Sequence, residues 1–372
     1  MKNKIIAFMF IAYLIFFAVG SIIVRDRGFS SMENRNLVQF PEVSKEAIMS
    51  GEFSDEFEKY MSDQIILKDT LVRIKVLENR VLGQTLINDT YFAEGDMLIA
   101  KYYNPYNQLT TNLNYVNEFA ESNDELNISW LVIPNACYVY EDRLPAYATN
   151  HDQKEVMAYI LGNVSEDIKL IDCSDDLMQA KEDYIYYKTD HHWTMNGAYI
   201  GYYKLCEEIG TDATPMSDYE VIVGSDEFYG TLYSNAPTFN QKPDEVLLYN
   251  NLSGQYTVEY LDEGVNSDSF YNLDNLNTKD KYTTYLDGNH SILKISSNAP
   301  SGDNGKLLVV KDSYAHSLLP LLADNYSEIY VVDLRYYHDS VSELAKAEGI
   351  EDILFINNLD FLSTDNNFLW LY

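Results

Sequence analysis

The chain has 372 residues, 46% of them hydrophobic and 14% aromatic, enough to bury a full core and to exclude a disordered protein. Its formal net charge is −32, a field that repels nucleic acid and anionic lipid head groups, so neither is expected as a partner of the folded domain. The three cysteines, Cys137, Cys173 and Cys206, form no C-x-x-C pair. That excludes a disulfide framework and a thiolate zinc site and leaves small buried hydrophobes.

Residues 5–24 carry no charge and lie between the lysines of "MKNK" and Arg25 and Arg27. A helix of about 20 such residues spans a bilayer, and no A-x-A-like cleavage site follows. The reading is a single-pass signal anchor, residues 1–25, that leaves the acidic bulk outside the cytoplasm; a cleaved signal peptide is the alternative. Residues 25 to about 50 are polar and read as an extended juxtamembrane segment. Residues 53–82 show helical spacing with Gly83 at the end. Together they make a juxtamembrane and helical region, 26–95, and "TYFAEGDMLIAKYY" reads as a short hairpin.

The remaining residues, 96–372, read as one α/β domain. "SWLVIPN" is a buried strand. Residues 195–209 have helical spacing, with Thr194 to cap the start and Gly210 the end. Residues 215–300, rich in Tyr, Asn, Ser and Asp, read as an insertion or an elaborated sheet. The C-terminal third alternates cleanly: strand "KLLVV", helix "SYAHSLLPLLADNY", strand "IYVVDL", helix "SVSELAKAEG", strand "DILFINN". That alternation predicts a parallel sheet with helices on its faces and ligands beyond the carboxyl ends of the strands. Tyrosine is abundant, with 32 copies. Its ring and hydroxyl suit a carbohydrate surface, although half-buried strand positions account for most of them.

Two stretches carry chemistry. In "TDHHW", Asp190 and His192 are two apart, so an extended segment projects both to one face, with His191 facing away. A carboxylate there orients an imidazole that works as a base. In "VVKDSYAHS", Ser313 follows a buried strand and opens a helix, whose N–H groups favour an oxyanion. A serine needs such a base to become nucleophilic, which points to Ser313, His192 and Asp190 as nucleophile, base and orienting acid. The plain alternative is that Ser313 caps its helix. Metal ligation by the histidine pair needs a third ligand such as Asp312 or His316, because adjacent side chains diverge; no metal is assigned. His316 is a rival base or a pocket wall. Tyr314 follows the serine on its helix, and Trp193 is read as packing, as a pocket wall or as a ring that stacks on a sugar. Arg335 and Asn135 follow neighbouring strands. They are candidates for substrate or oxyanion contact, or for a surface ion pair and a turn cap respectively.

"TDHHWTMNGAY", "GTLYSNAP" and "VVKDSYAHSLLPLL", with "ENRNLVQFPE", "FEKYMSDQ" and "LVIPN…LP", resemble the DHHW proteins of bacteria, relatives of the SGNH-hydrolase-like alginate O-acetyltransferases of the AlgX and AlgJ type. The resemblance covers most of the chain beyond residues 1–25. It implies a flavodoxin-like, SGNH-hydrolase-like three-layer α/β sandwich. Its Asp-x-His-Trp motif falls on Asp190, His192 and Trp193, its later serine on Ser313 and its downstream arginine on Arg335. The order is that of the circularly permuted acetyltransferase branch, with His191 where the alginate enzymes carry a small polar residue. It further implies O-acetyl transfer or acetyl-ester hydrolysis on a cell-surface polysaccharide, without a cofactor, with a multispanning membrane protein delivering the acetyl group. The alternative is a non-catalytic polysaccharide-binding or scaffold protein of the envelope.

Overall fold

The four strands read at "SWLVIPN", "KLLVV", "IYVVDL" and "DILFINN" are joined by a fifth, Ile168–Asp172, in one parallel set. In the computed structural model, which describes residues 2–298 and 304–372, they belong to one eight-stranded sheet. Its order runs Val265–Ser267, Tyr256–Tyr260, Ile292–Ser297, Glu328–Val332, Lys306–Lys311, Asp352–Asn358, Asn127–Ile133, Ile168–Asp172. The last five of these are mutually parallel, and their inner members are runs of Leu, Val and Ile with almost no exposure. Continuous apolar runs are what a strand covered on both faces requires. The first three strands are antiparallel additions. They come from the 215–300 stretch, which thus elaborates the sheet; its last two residues, 299 and 300, lie outside the described residues.

All five parallel strands end at one edge. Asn135 follows Ile133, Ser313 follows Lys311, Asp333 and Arg335 follow Val332, and Asn358 ends its own strand. The helix Met195–Ile209 packs nearby. Thr194 accepts the Gly197 N–H at its start, a cap worth about 1 kcal/mol, and Gly210 ends it in the left-handed region at φ 79°. Gly201 brings this helix against Trp193: a Cβ there would lie 2.8 Å from the indole.

The chain divides into two units, Met1–Asn88 with Tyr233–Gln241, and Asp89–Leu232 with Lys242–Tyr372. The sheet belongs to the larger. In the smaller, no residue of Asn3–Ile23 is buried, and this helical stretch is long and apolar enough to cross a membrane, with a mean hydropathy of 2.6. Two expectations need correction here. Residues 25–50 are not simply extended: Phe29–Ser30 pairs with Arg35–Asn36, and Lys45–Ser50 is a helix capped by Ser44. Residues 53–82 are two helices, Glu52–Gln64 and Lys68–Val81, because Leu67 adopts a left-handed φ of 59° that no helix continues through. At the break, buried Asp63 accepts from both terminal guanidinium nitrogens of Arg35 at 2.6 and 2.8 Å, from the Val38 N–H at 2.9 Å and from Lys68 Nζ at 3.0 Å.

Candidate active site

Residues 187–194 form a closed loop. Tyr186 bridges Trp193, the Tyr187 N–H donates to the His192 carbonyl at 3.2 Å, and the Thr194 N–H to that of Ile185 at 2.9 Å. Buried Asp244 pins the loop from the strand Asp244–Asn251. It accepts the N–H groups of Lys188 and Thr189 at 2.9 and 2.7 Å and the Thr189 hydroxyl at 2.6 Å. Asp190 therefore sits in a fixed bend.

His192 is bonded at both ring nitrogens. Nδ1 lies 2.6 Å from Asp190 Oδ1, and Nε2 lies 2.8 Å from Ser313 Oγ. Asp190 also accepts the His192 N–H at 3.1 Å and, through Oδ2, the Thr231 N–H at 2.8 Å. Asp190 and His192 are 3% and 6% exposed, while Ser313 keeps access to solvent. Gly230 makes the approach to Asp190 possible, since a Cβ on it would fall 2.3 Å from the carboxylate.

Burial pushes the Asp190 carboxyl up, but the two imidazoles and the hydrogen bonds it accepts outweigh this and hold it well below the usual carboxylate range. Burial, then the charge of His191, pushes the His192 imidazole down to about 4 against the pull of Asp190. His192 is thus a neutral base over the ordinary pH range, with Nδ1–H aimed at the carboxylate and Nε2 open to the serine proton.

The Ser313 hydroxyl goes to His192 and not to a helix end. The helix Ala315–Leu322 starts after Tyr314 and has no side-chain cap. The turn is held by Asp312, which accepts the Tyr314 N–H at 2.8 Å and, from Asn358, the backbone N–H at 2.7 Å and the amide at 3.0 Å. Burial pushes Asp312 up to about 7 against these donors. Among the described residues the Ser313 N–H has no partner, which leaves a donor beside the serine oxygen.

Several candidates stand elsewhere. Trp193 is fully buried and its indole N–H donates to the Tyr314 carbonyl at 2.9 Å, so it cannot stack on a sugar. Tyr314 is fully buried and its hydroxyl bonds the His191 carbonyl. His316 is 2% exposed and its Nε2 faces Lys311 Nζ at 2.7 Å, so it is neither a pocket wall nor a second base at Ser313. Arg335 gives Nε and a terminal nitrogen to Asp333 at 2.8 and 2.5 Å, and Asn289 takes a further bond at 3.1 Å. The ion pair holds this guanidinium. Asn135 is half-buried, bonded to Gln153, to Asn358 at 3.2 Å and to the Tyr314 hydroxyl at 3.5 Å. His191 does not turn away: its ring lies 3.9 Å from that of His192. Alternation fails because residues 188–192 bend.

Asp190, His191 and His192 are also close enough to hold a cation, with one potential ligand atom each within 4.8 Å of the others. Neither Asp312 nor His316 joins this group. Ligation through His192 would displace either Asp190 or Ser313, because both ring nitrogens are already used.

Sequence reasoning passed over Asp244, Gly230 and Tyr282. The Tyr282 ring lies flat on His192, 3.8 Å between centroids and 10° from parallel. Only "GTLYSNAP" offered a signal, for Gly230; the other two act through contacts distant in sequence.

The model of the family described as DHHW protein matches residues 87–332, a stretch that includes Asp190, His192 and Ser313. The chain belongs to the DHHW family. A crystal structure of a DHHW family protein from Eubacterium siraeum DSM 15702 shares 26% identity and a TM-score of 0.65, covering 75% of this chain and 94% of that one. PatB1 of Bacillus cereus, in a structure with a sulfonyl adduct, shares 19% identity and a TM-score of 0.64 over 75% and 97%. The O-acetyltransferase domain of Pseudomonas putida AlgJ shares 14% identity, with a TM-score of 0.48 over 74% and 93%. No curated protein matches the chain. The chain thus shares the α/β fold of the Eubacterium siraeum protein and of PatB1.

Proposed function

We propose that this DHHW protein is a membrane-anchored, extracytoplasmic O-acetyltransferase or acetylesterase that acts on a cell-surface polysaccharide. Residues 96–372 carry the reaction. The supporting observation is the His192 ring, bonded to Asp190 at 2.6 Å on one side and to Ser313 at 2.8 Å on the other. The acetyl group and the polysaccharide enter through the motif resemblance to O-acetyltransferases.

The chemistry follows from the geometry. Ser313 Oγ attacks the acetyl carbonyl while its proton passes to His192 Nε2. The imidazolium formed is stabilised by ionised Asp190 through Nδ1–H. The Ser313 N–H faces the developing oxyanion. The bond from the acetyl carbon to the donor oxygen breaks, and that oxygen takes the proton from Nε2. An acceptor hydroxyl, of a sugar or of water, then gives its proton to Nε2 and attacks the acetyl carbon; the bond to Ser313 Oγ breaks, and Oγ takes that proton back from Nε2. The helix Lys2–Ile23 holds the protein at the membrane, where a multispanning partner presents the acetyl group.

The full chain in detergent is treated with a serine-reactive fluorophosphonate and with a small acetyl ester, alongside Ser313→Ala and His192→Ala. Labelling and turnover that need both residues support the reading. Activity that ignores both substitutions would falsify it, and inertness of every form favours the scaffold alternative.

A further inference from the structure

We propose that Tyr282 is a positioning residue for the Ser313–His192 pair, an inference that rests on the serine-dependent reading above. One side chain touches both partners. Its ring stacks on the His192 imidazole at 3.8 Å and 10°, and its hydroxyl donates to the Ser313 carbonyl at 3.0 Å. The two hydrogen bonds of His192 lie in the plane of its ring and resist sliding within that plane. They do little against tilting out of it, which would swing Nε2 away from Oγ. A flat aromatic face in van der Waals contact opposes that tilt directly. The same face meets the imidazolium that forms as the proton moves, a cation–π contact made only in that state.

The tyrosine is itself immobilised. It is 4% exposed, in the short turn Lys281–Thr284. Tyr285 lies 5.2 Å away at 64°, Tyr187 6.2 Å away at 89°, and the buried His316 ring 6.1 Å away on a nearly parallel plane. The Ser317 hydroxyl is 3.4 Å from the phenol oxygen. Burial pushes the phenol well above its ordinary range, so it remains a neutral donor. The turn belongs to the stretch between the strands Val265–Ser267 and Ile292–Ser297, so the antiparallel extension of the sheet delivers the residue that aligns the parallel edge.

The test separates alignment from core packing. The full chain in detergent is labelled with the fluorophosphonate as wild type, Tyr282→Phe, Tyr282→Leu and Tyr202→Leu. Tyr202 is equally buried and donates its hydroxyl to Asn325 at 2.6 Å, without contact to His192, Ser313 or Tyr282 among the described residues. The expected result is a labelling rate per folded molecule down about tenfold or more in Tyr282→Leu, with Tyr282→Phe and Tyr202→Leu within about threefold of wild type. Wild-type labelling by Tyr282→Leu overturns the proposal, and so does an equal loss in Tyr202→Leu. Should Tyr282→Leu not fold, the His192 ring protons of the wild type decide. Under a parallel ring they resonate upfield of ordinary imidazole, assigned by their loss in His192→Gln; ordinary shifts overturn the proposal. Undiminished labelling in Ser313→Ala is a different failure, that of the serine reading itself.

Discussion

Two buried aspartates, one in each unit, show how similar parts serve different ends. Asp63 is 5% exposed and Asp190 3% exposed, and each accepts a backbone N–H. Asp63 is surrounded by permanent cations: Arg35 bonds it through two nitrogens and Lys68 through a third, with Glu33 completing the network at Lys68. Its charge is fully met and nothing can be handed on. Asp190 meets instead an imidazole that burial keeps neutral, and the chain continues to a serine hydroxyl at the surface. A saturated cluster holds structure, whereas an open chain of a base and a hydroxyl can move a proton. Lys311, Asp333 and Arg335 repeat the closed kind within the larger unit, beneath the carboxyl edge of the sheet.

Exchanging parts of the two clusters tests this contrast. Ser313→Ala and His192→Ala should each lower fluorophosphonate labelling by about a thousandfold or more, without change in the melting temperature beyond a few degrees. Asp190→Asn should cost about a hundredfold to ten-thousandfold, because the amide favours the wrong imidazole tautomer. Asp63→Ala should do the opposite. It removes the carboxylate that Arg35 and buried Lys68 share, leaves Lys68 with Glu33 alone, and should destabilise its own unit by about 2 kcal/mol in denaturant titrations, with labelling per folded molecule unchanged. The Asp63 carboxyl is held below its ordinary range, by Arg35 foremost. Its stabilisation is therefore present above the ordinary carboxylate value and lost as pH falls toward the depressed one; the Ala variant should lack that acid-dependent loss. Gly230→Ala should slow labelling about tenfold by displacing Asp190. The smallest effect concerns pH. His192 stays neutral down to about 4, so the rate should hold nearly level from pH 7 to 5 and fall only below that. Burial and His191 both depress it; His191→Ala removes the second and should move the acid limb upward, toward the ordinary 6.5.

Local signals carried much of the fold. Thr194 and Gly210 mark the ends of the helix Met195–Ile209, and "DILFINN" coincides with the strand Asp352–Asn358, because caps and apolar runs are properties of short segments. The break at Leu67 was illegible, since the apolar spacing of residues 53–82 continues through it. At the site, the types and spacing of Asp190, His192 and Ser313 pointed to one chemistry, while the geometry that joins them differs from the one spacing suggested. The loop is held in its bend by Asp244, 55 residues beyond Thr189, and His191 lies beside His192. Trp193 looked like a sugar platform because an aromatic next to a histidine carries no mark of its burial. Its full burial and the close approach of Gly201 show that it is core. Tyr282 was one tyrosine among 32, and nothing local distinguishes it.

The central claim is that His192 activates Ser313. Mass spectrometry of the fluorophosphonate-treated full chain tests it most directly. The account predicts one adduct, on the peptide that carries Ser313, present in wild type and lost in His192→Ala. An adduct on another residue, or one at Ser313 that forms equally fast without His192, contradicts it.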